Sequence, residues 1–280
     1  MANFHVIAGA SDRVEYPAVR KISVGDLFDC LRLGVEDFWE KPSHYALLGL
    51  IYPIVGIVLT IWMSGYYTWP LLYPLLGGFA LIGPIAALGL YEISRRREQG
   101  LDVSWRHAFN VLGSPAIASI VAVGVMLFAI FTLWLASAQL LYENLFGALP
   151  PQTFPELIGQ VLTTSQGWTL IIAGNLIGLI FAIITLATSV IAFPLMLDRD
   201  CGAYCAVHTS VRVVLANPVP MAAWGLIIVA GLIIGSLPIF VGLAVVIPIF
   251  GHATWHLYRK TVEPGTAGAR RPARRSRAAA

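Results

Sequence analysis

Charged residues are scarce in this chain and cysteines are few. Only 12% of its 280 residues are Asp, Glu, Lys or Arg, whereas about a quarter are charged in soluble globular proteins, and 58% are hydrophobic. The mean hydropathy is +0.76. These values exclude a sizeable soluble domain and predict a polytopic membrane protein. The three cysteines are expected on the reducing side of the membrane, which argues against a structural disulfide.

The sequence also lacks the motifs of common enzyme classes. It contains no nucleophile elbow, no phosphate-binding glycine loop and no zinc-protease helix. No ionisable residue lies clearly in the middle of an apolar stretch, where proton relays and ion paths place such residues. We therefore expect neither an enzyme nor a catalytic residue, and we assign no resident metal or other cofactor.

Six apolar stretches are each long enough to cross the roughly 30 Å of bilayer hydrocarbon. They cover approximately residues 44–64, 71–92, 115–141, 168–197, 218–236 and 237–258. All 18 Lys and Arg residues then fall on the same side of the membrane. Because basic loops resist translocation, this distribution predicts a multi-pass protein of the bacterial inner (plasma) membrane with both termini in the cytoplasm.

Three short amphipathic segments lie between these stretches on the basic side. The first carries apolar residues at steps of three and four over residues 23–40, with Ser23 as N-cap and Asp26 at the capping-box position. The second follows a predicted cap at Asp102, and the third covers residues 204–215. We expect three interfacial helices on one membrane domain (residues 23–260), between an N-terminal tail (1–22) and a basic disordered C-terminal tail (261–280).

Each amphipathic segment ends in two apolar residues, two spacers and a proline that opens a span. The three copies are Phe38-Trp39-x-x-Pro42, Val111-Leu112-x-x-Pro115 and Val214-Leu215-x-x-Pro218. Proline suits the first turn of a helix, and the residue before it resists continuing the preceding one. The fold class predicted is therefore an all-α bundle of six transmembrane helices, built either from three tandem two-span repeats or with linkers that merely lie on the membrane.

Two histidines and one asparagine are the candidate binding residues within the spans. His252 and His256 lie four residues apart, hence on one helix face, where imidazoles can share a metal or hold a haem. The alternative is hydrogen bonding to headgroups or to neighbouring cytoplasmic helices. Asn175 is the deepest strong hydrogen-bonding residue, and either joins helices or contacts a substrate.

Three motifs resemble a known family. They are Gly83-Pro84 leading into Gly89-Leu90-Tyr91-Glu92-x-Ser94-Arg95-Arg96-x-Glu98-x-Gly100, then Phe193-Pro194-Leu195-Met196-Leu197-Asp198-Arg199 followed by Thr209-Ser210 and Asn217, and Pro248-x-x-Gly251-His252-Ala253-Thr254-Trp255-His256-Leu257-Tyr258-Arg259. Together they resemble the uncharacterised domain-of-unknown-function family of predicted integral membrane proteins of alphaproteobacteria and related bacteria. The resemblance covers the chain from the first span to Arg259 and implies an inner-membrane location without a mechanism.

These motifs cluster at the cytoplasmic ends of spans two, four and six, which adds six candidate residues: Glu92, Arg95, Arg96, Asp198, Arg199 and Trp255. The leading hypothesis is a non-enzymatic scaffold, assembly or lipid-organising component. The alternative is a transporter or channel for a small uncharged solute, and the third is a haem- or metal-binding accessory of a respiratory complex. Expected partners are the bilayer, anionic phospholipid headgroups, and a membrane protein or a second copy, but no nucleic acid.

Overall fold

The structure is a computed structural model that describes residues 16–40, 69–147, 153–238 and 240–264, with the isolated residues 6, 54, 58, 61 and 151. Within these residues it is helical, without a strand. The ten α-helices described are α1 (Val24–Glu40), α2 (Leu72–Ala86), α3 (Leu88–Glu98), α4 (Ile117–Phe146), α5 (Phe154–Thr163), α6 (Ser165–Ser189), α7 (Ala192–Arg199), α8 (Gly202–Ala216), α9 (Pro218–Ser236) and α10 (Leu243–Thr261).

Three described segments are long and apolar enough to cross a membrane. They are Ile117–Phe146, Ser165–Arg199 and Pro218–Ser236, and they correspond to the predicted third, fourth and fifth spans. At most 33% of the most apolar stretch in each is buried, so most of that surface faces outward. The predicted first span lies outside the described residues. The all-helical class is thus confirmed, while six spans and three repeats stay predictions.

The predicted second and sixth spans are shorter helices than expected. The second is divided into α2 and α3 at Ala87, three residues after Pro84. Proline removes one hydrogen bond from the turn before it, so it weakens this part of the helix without itself fixing the end at Ala86. The sixth begins at Leu243 rather than at 237, because the described residues 237–238 and 240–242 lie in a turn after α9.

The longest predicted span also contains an interruption, between α6 and α7. The amide of Ile191 donates to Ser210 Oγ of α8 at 3.2 Å, so a neighbouring helix supplies a partner at the interruption. The residues of α7 that follow are almost all buried, and Phe193 and Met196 are fully so. The core of the protein is therefore centred on the end where the basic residues lie, here called the basic end.

The three interfacial segments are present, with one difference in geometry. The capping box of α1 is confirmed, since the Ser23 amide donates to Asp26 Oδ2 at 2.8 Å. The second segment is a 3-10 helix, Trp105–Gly113, rather than an α-helix. Its cap is Ser104 and not Asp102, because the Ser104 amide donates to the side chain of His107 three residues later, at 3.1 Å. The third is α8.

The inner parts of the two predicted tails are held together. Val19 and Val262 form an antiparallel bridge, and the Arg20 amide donates to the Thr261 carbonyl at 2.8 Å. Asn217 joins this segment to the start of α9, since its Oδ1 accepts from the Ile22 amide at 2.8 Å. Residues 16–22 and 261–264 are therefore held at the basic end by hydrogen bonds, whereas the sequence predicted an N-terminal tail up to residue 22 and a disordered C-terminal tail from residue 261.

Candidate functional site

His252 of α10 lies fully buried against α3 at the basic end. Its Nδ1 is 2.7 Å from Ser94 Oγ, and the Ser94 hydroxyl is 3.1 Å from Asp37 Oδ2 of α1. A serine hydroxyl has one proton, and an ionised carboxylate can only accept. When Ser94 donates to Asp37, the His252 Nδ1–H therefore donates to Ser94.

Asp37 is the centre of this group. His256 Nε2 lies 2.9 Å from Asp37 Oδ2, one turn of α10 beyond His252, and Arg97 of α3 donates to Asp37 Oδ1. We call these five residues (Asp37, Ser94, Arg97, His252 and His256) the Asp37 cluster. Arg97 Nε also lies 3.0 Å from Glu40 Oε2. The cluster thus joins α1, α3 and α10 through one buried carboxylate.

The surroundings of Asp37 favour its charged form. Burial alone would raise the pKa of this carboxyl, but the hydrogen bond from His256 and the charges of His252, His256 and Arg97 outweigh burial and hold the pKa below its ordinary value. Asp37 is therefore an anion at neutral pH, and the cationic and hydrogen-bonding groups around it compensate its charge.

The predicted histidine pair therefore binds protein groups on two neighbouring helices, which was the alternative to a cofactor. Among the described residues, no group of three or more His, Cys, Asp and Glu side chains has an arrangement that could hold a metal ion. Chemically, the Asp37 cluster can fix three helices relative to one another and can respond to loss of its central charge.

A second polar group follows directly along α10. Trp255 is buried and its Nε1 donates to Glu98 Oε2 at 3.1 Å, while Arg259 lies 2.7 Å from Glu98 Oε1. Asp198 Oδ2 accepts from Tyr258 Oη at 2.5 Å and lies 3.3 Å from Arg259 Nη1. We call these residues the Glu98–Asp198 cluster. It joins α10 to the ends of α3 and α7, and it contains two residues predicted from the motifs, Asp198 and Trp255.

The remaining predicted residues make local contacts near the basic end. Glu92 is buried and pairs with Arg95 within α3, at 2.8 Å and 3.1 Å. Arg96 Nε donates to the Asp102 carbonyl at 3.0 Å. Arg199 lies 3.6 Å from Asp198 and donates to the Glu263 carbonyl. These residues lie near the two clusters, and none of them is a member of the Asp37 cluster.

Asn175 lies far along the chain from both clusters, on an exposed face of α6. Its Oδ1 accepts from Tyr73 Oη at 2.8 Å, and its Nδ2 donates to the Ile171 carbonyl at 2.8 Å. The amide thus joins α6 to α2, in agreement with the role of a link between helices.

Sequence reasoning missed Asp37, Ser94 and Arg97. The available signal was the position of Asp37 on the buried stripe of α1, where Gly34 precedes it and Phe38 follows it. A carboxylate on a buried face requires a partner, since burial of an unpaired charge is costly. The identity of that partner depends on which helices pack against α1, and periodicity within one helix does not contain that information.

Glycines allow the close approach that these short distances require. A Cβ on Gly34 would lie 2.7 Å from the Ile249 carbonyl oxygen of α10, and one on Gly251 would lie 2.6 Å from Leu90 Cδ1 of α3. Both contacts are shorter than real Cβ atoms show. The crossings of α1 and α3 with α10 therefore need glycine at these two positions.

The fold and this site define a helical integral membrane protein whose polar residues concentrate at one end of the bundle. Residues 72–198, a little under half of the chain, match the family DUF2189, described as a predicted integral membrane protein. This match agrees with the resemblance that the motifs carry, and it contains the first motif and most of the second. The third motif lies outside the matched residues, so the match is narrower than the predicted resemblance. No curated protein and no solved structure matches the chain.

Proposed function

We propose that this protein is a non-enzymatic scaffold, assembly or lipid-organising component of the bacterial inner membrane, and that it acts through the basic end, on the cytoplasmic side. The observation that carries this proposal is the outer face of α1. Beside its buried stripe runs a second apolar stripe, Val24, Phe28, Leu31, Val35 and Trp39, at steps of four, three, four and four. Phe28 is 61% exposed and Trp39 66%.

Such a helix, with one apolar stripe against the protein and another facing outward, suits the boundary between headgroups and acyl chains. Lys21, just before α1, is exposed and supplies positive charge toward anionic phospholipid headgroups, the partner proposed from the sequence, whereas Arg32 is paired with Glu36 at 2.8 Å. A second copy or another membrane protein is the alternative partner for an exposed apolar stripe.

The other two interfacial segments place their last apolar residues as α1 does. In each apolar pair before the proline, the first residue packs inward and the second points outward. Phe38 and Val111 are buried and Val214 is half-buried, whereas Leu112 and Leu215 are 70% and 75% exposed, as exposed as Trp39 or more so. This agreement supports three equivalent contact points with the membrane interface.

The Asp37 cluster supports the same proposal, since it holds α1 at a fixed angle. Lys260 of α10 adds a second link, because its Nζ donates to Asp26 and Asp29 of α1 at 2.7 Å and 2.8 Å. A helix fixed in this way can present its outer stripe to lipid or to a partner without further ordering, which lowers the entropic cost of binding.

Spin labels on α1 test this proposal. Phe28→Cys and Glu36→Cys carry a nitroxide on the apolar and polar faces, and collision rates with oxygen and with a water-soluble nickel chelate are measured in nanodiscs containing phosphatidylglycerol. We expect oxygen to dominate at Phe28 and nickel at Glu36. Equal access of nickel to both labels in nanodiscs would show that the apolar face of α1 does not contact lipid.

Transport of a small uncharged solute is the second candidate, favoured by a cavity of about 500 Å³ between α2, α6, α9 and α10. Its lining is predominantly apolar, which suits an apolar molecule better than a polar solute. A haem- or metal-binding respiratory accessory is the third, and its histidines would have to leave Asp37 and Ser94 to bind a metal. An absorption spectrum with metal analysis, compared with a His252→Ala, His256→Ala double variant, separates it from the first two.

A further inference from the structure

The cavity between α2, α6, α9 and α10 is bordered by side chains that face the bilayer. Its lining includes Ile183 of α6 together with Leu226 and Val229 of α9, and all three are exposed apolar residues. Their exposed surface is continuous with the apolar surface of two helices that are able to span a membrane. The cavity therefore opens sideways toward acyl chains, and its volume of about 500 Å³ lies within the range of small-molecule sites, about 300–1,000 Å³.

Two buried polar side chains line the same cavity. Trp224 is fully buried and Thr185 nearly so. Among the described residues, neither Trp224 Nε1 nor Thr185 Oγ1 has a hydrogen-bond partner. A buried hydrogen-bonding group without a partner costs about 1–3 kcal/mol, so a native structure seldom leaves one without a reason. Indole N–H only donates, and the threonine hydroxyl can donate. Both polar atoms are covered by neighbouring side chains in this structure, so an acceptor oxygen on a molecule in the cavity would satisfy them after a small movement of these side chains.

The depth of Trp224 in the membrane indicates which chemical group can accept its hydrogen bond. It lies six residues after Pro218, where α9 begins at the basic end, so its Cα is about 9 Å along the helix axis. Helical side chains lean toward the N-terminus, which brings the indole closer to the basic end than its Cα. This is the region just inside the headgroups. The acceptors available there are the ester carbonyls of diacyl lipids, whose chains would extend into the apolar part of the cavity.

We propose that this cavity binds one diacyl phospholipid, with its ester carbonyls accepting hydrogen bonds from Trp224 and Thr185. The site deepens the proposed function by naming a lipid, and it rests on that function only for the orientation of the chain in the bilayer. The spin-label measurement on α1 does not involve the cavity, so either proposal can fail while the other holds.

The test uses two phosphatidylglycerol probes that carry a diazirine in the middle of one acyl chain. One is ester-linked, and the other is its ether-linked analogue without carbonyls. The full chain is labelled in nanodiscs and the labelled peptides are identified by mass spectrometry. We expect labelling of cavity-lining peptides of α6 and α9, with the ester probe favoured about five-fold for each hydrogen bond it makes.

Three variants make the result specific. Gly225→Phe should abolish labelling of the cavity, because Gly225 lines it and a Cβ there, among the described residues, meets only Leu186 Cδ2, at an ordinary 3.6 Å. Gly77→Phe is the matched control, since a Cβ at Gly77 meets no atom of the described residues within 4 Å and the residue does not line the cavity. Thr185→Val combined with Trp224→Phe should remove the preference for the ester probe.

Three results would contradict the proposed lipid site. Equal labelling by the ester and ether probes, or cavity labelling that persists in Gly225→Phe, would overturn the proposal. Crosslinks from these peptides to a second copy of the chain, in place of lipid, would also overturn it and assign the surface to self-association. Thermal unfolding of each variant shows whether a lost signal reflects lost folding. Thr185→Val alone should unfold no earlier than the wild type, since it removes a buried hydroxyl that lacks a partner.

Discussion

Replacement of Asp37 by asparagine removes the central charge of the Asp37 cluster while preserving its shape. The variant leaves His256 and Arg97 opposite a neutral amide, and Ser94 loses a charged acceptor. Breaking a buried ion pair by removal of one partner costs about 3–5 kcal/mol. Arg97 retains Glu40 and is one-third exposed, which reduces the cost, so we expect about 2–3 kcal/mol. For a protein of this size that corresponds to a decrease in unfolding temperature of roughly 5–10 °C.

The assay is thermal unfolding of the detergent-purified protein, followed by tryptophan fluorescence. Glu36→Gln is the matched control, because Glu36 lies one residue earlier on the exposed face of α1 and pairs only with Arg32 four residues before it, in the described structure. That exposed pair should contribute less than about 0.5 kcal/mol. Unfolding of Asp37→Asn at the temperature of Glu36→Gln would refute the reasoning that the Asp37 cluster holds α1 to the bundle.

The pH dependence follows from the depressed pKa of Asp37 in the folded protein. A carboxyl with a lowered folded pKa stabilises the protein above its ordinary pKa of about 3.9, and this contribution is lost as the pH falls through the folded value. The difference in unfolding temperature between wild type and Asp37→Asn should thus narrow as the pH falls below about 5 and Asp37 takes up a proton.

Two further predictions concern the packing of α1. Gly34→Leu should separate α1 from α10 and lower the unfolding temperature by several degrees. Gly77→Leu, where a Cβ meets no atom of the described residues within 4 Å, should leave the unfolding temperature nearly unchanged. Equal effects in the two variants would contradict the close crossing of α1 and α10. Cys30 is fully buried, and burial raises its pKa to about 11. It should therefore react with a maleimide at pH 8 much more slowly than a free cysteine. If Cys30 reacts as fast in the native protein as in the unfolded protein, α1 does not pack against the bundle.

Part of the candidate site was predictable from sequence because its residues lie in recognisable local patterns. The spacing of His252 and His256 predicted that both imidazoles share a helix face, and both do approach Asp37. The capping box at Ser23 was likewise a local pattern of four residues. Asp198 and Trp255 were predicted as site residues from the family motifs. The structure places both in the Glu98–Asp198 cluster, although nothing in the sequence indicates that these two residues lie near each other.

The predictions that differ from the structure concern segments whose conformation depends on contacts with distant parts of the chain. The second interfacial segment carried the periodicity of an α-helix, but it forms a 3-10 helix packed against α3 and is capped at Ser104. The segments at residues 16–22 and 261–264 read as polar tails, yet Asn217 and a short antiparallel bridge hold them. Hydrogen bonds between residues nearly 200 positions apart leave no trace in local composition.

The sequence by itself determined that this protein is helical and belongs in a membrane, because hydropathy and charge distribution are sums over residues that need no knowledge of neighbours. It also predicted the resemblance to a family of integral membrane proteins, because the motifs are short runs of residues that can be read directly, and residues 72–198 match such a family. Only the tertiary structure decided that Asp37, Ser94 and His252 meet, and that Trp224 and Thr185 line one cavity with side-chain polar atoms that have no partner among the described residues. The physical reason is that a hydrogen bond or a cavity is defined by groups on different helices, and their relative positions arise from packing.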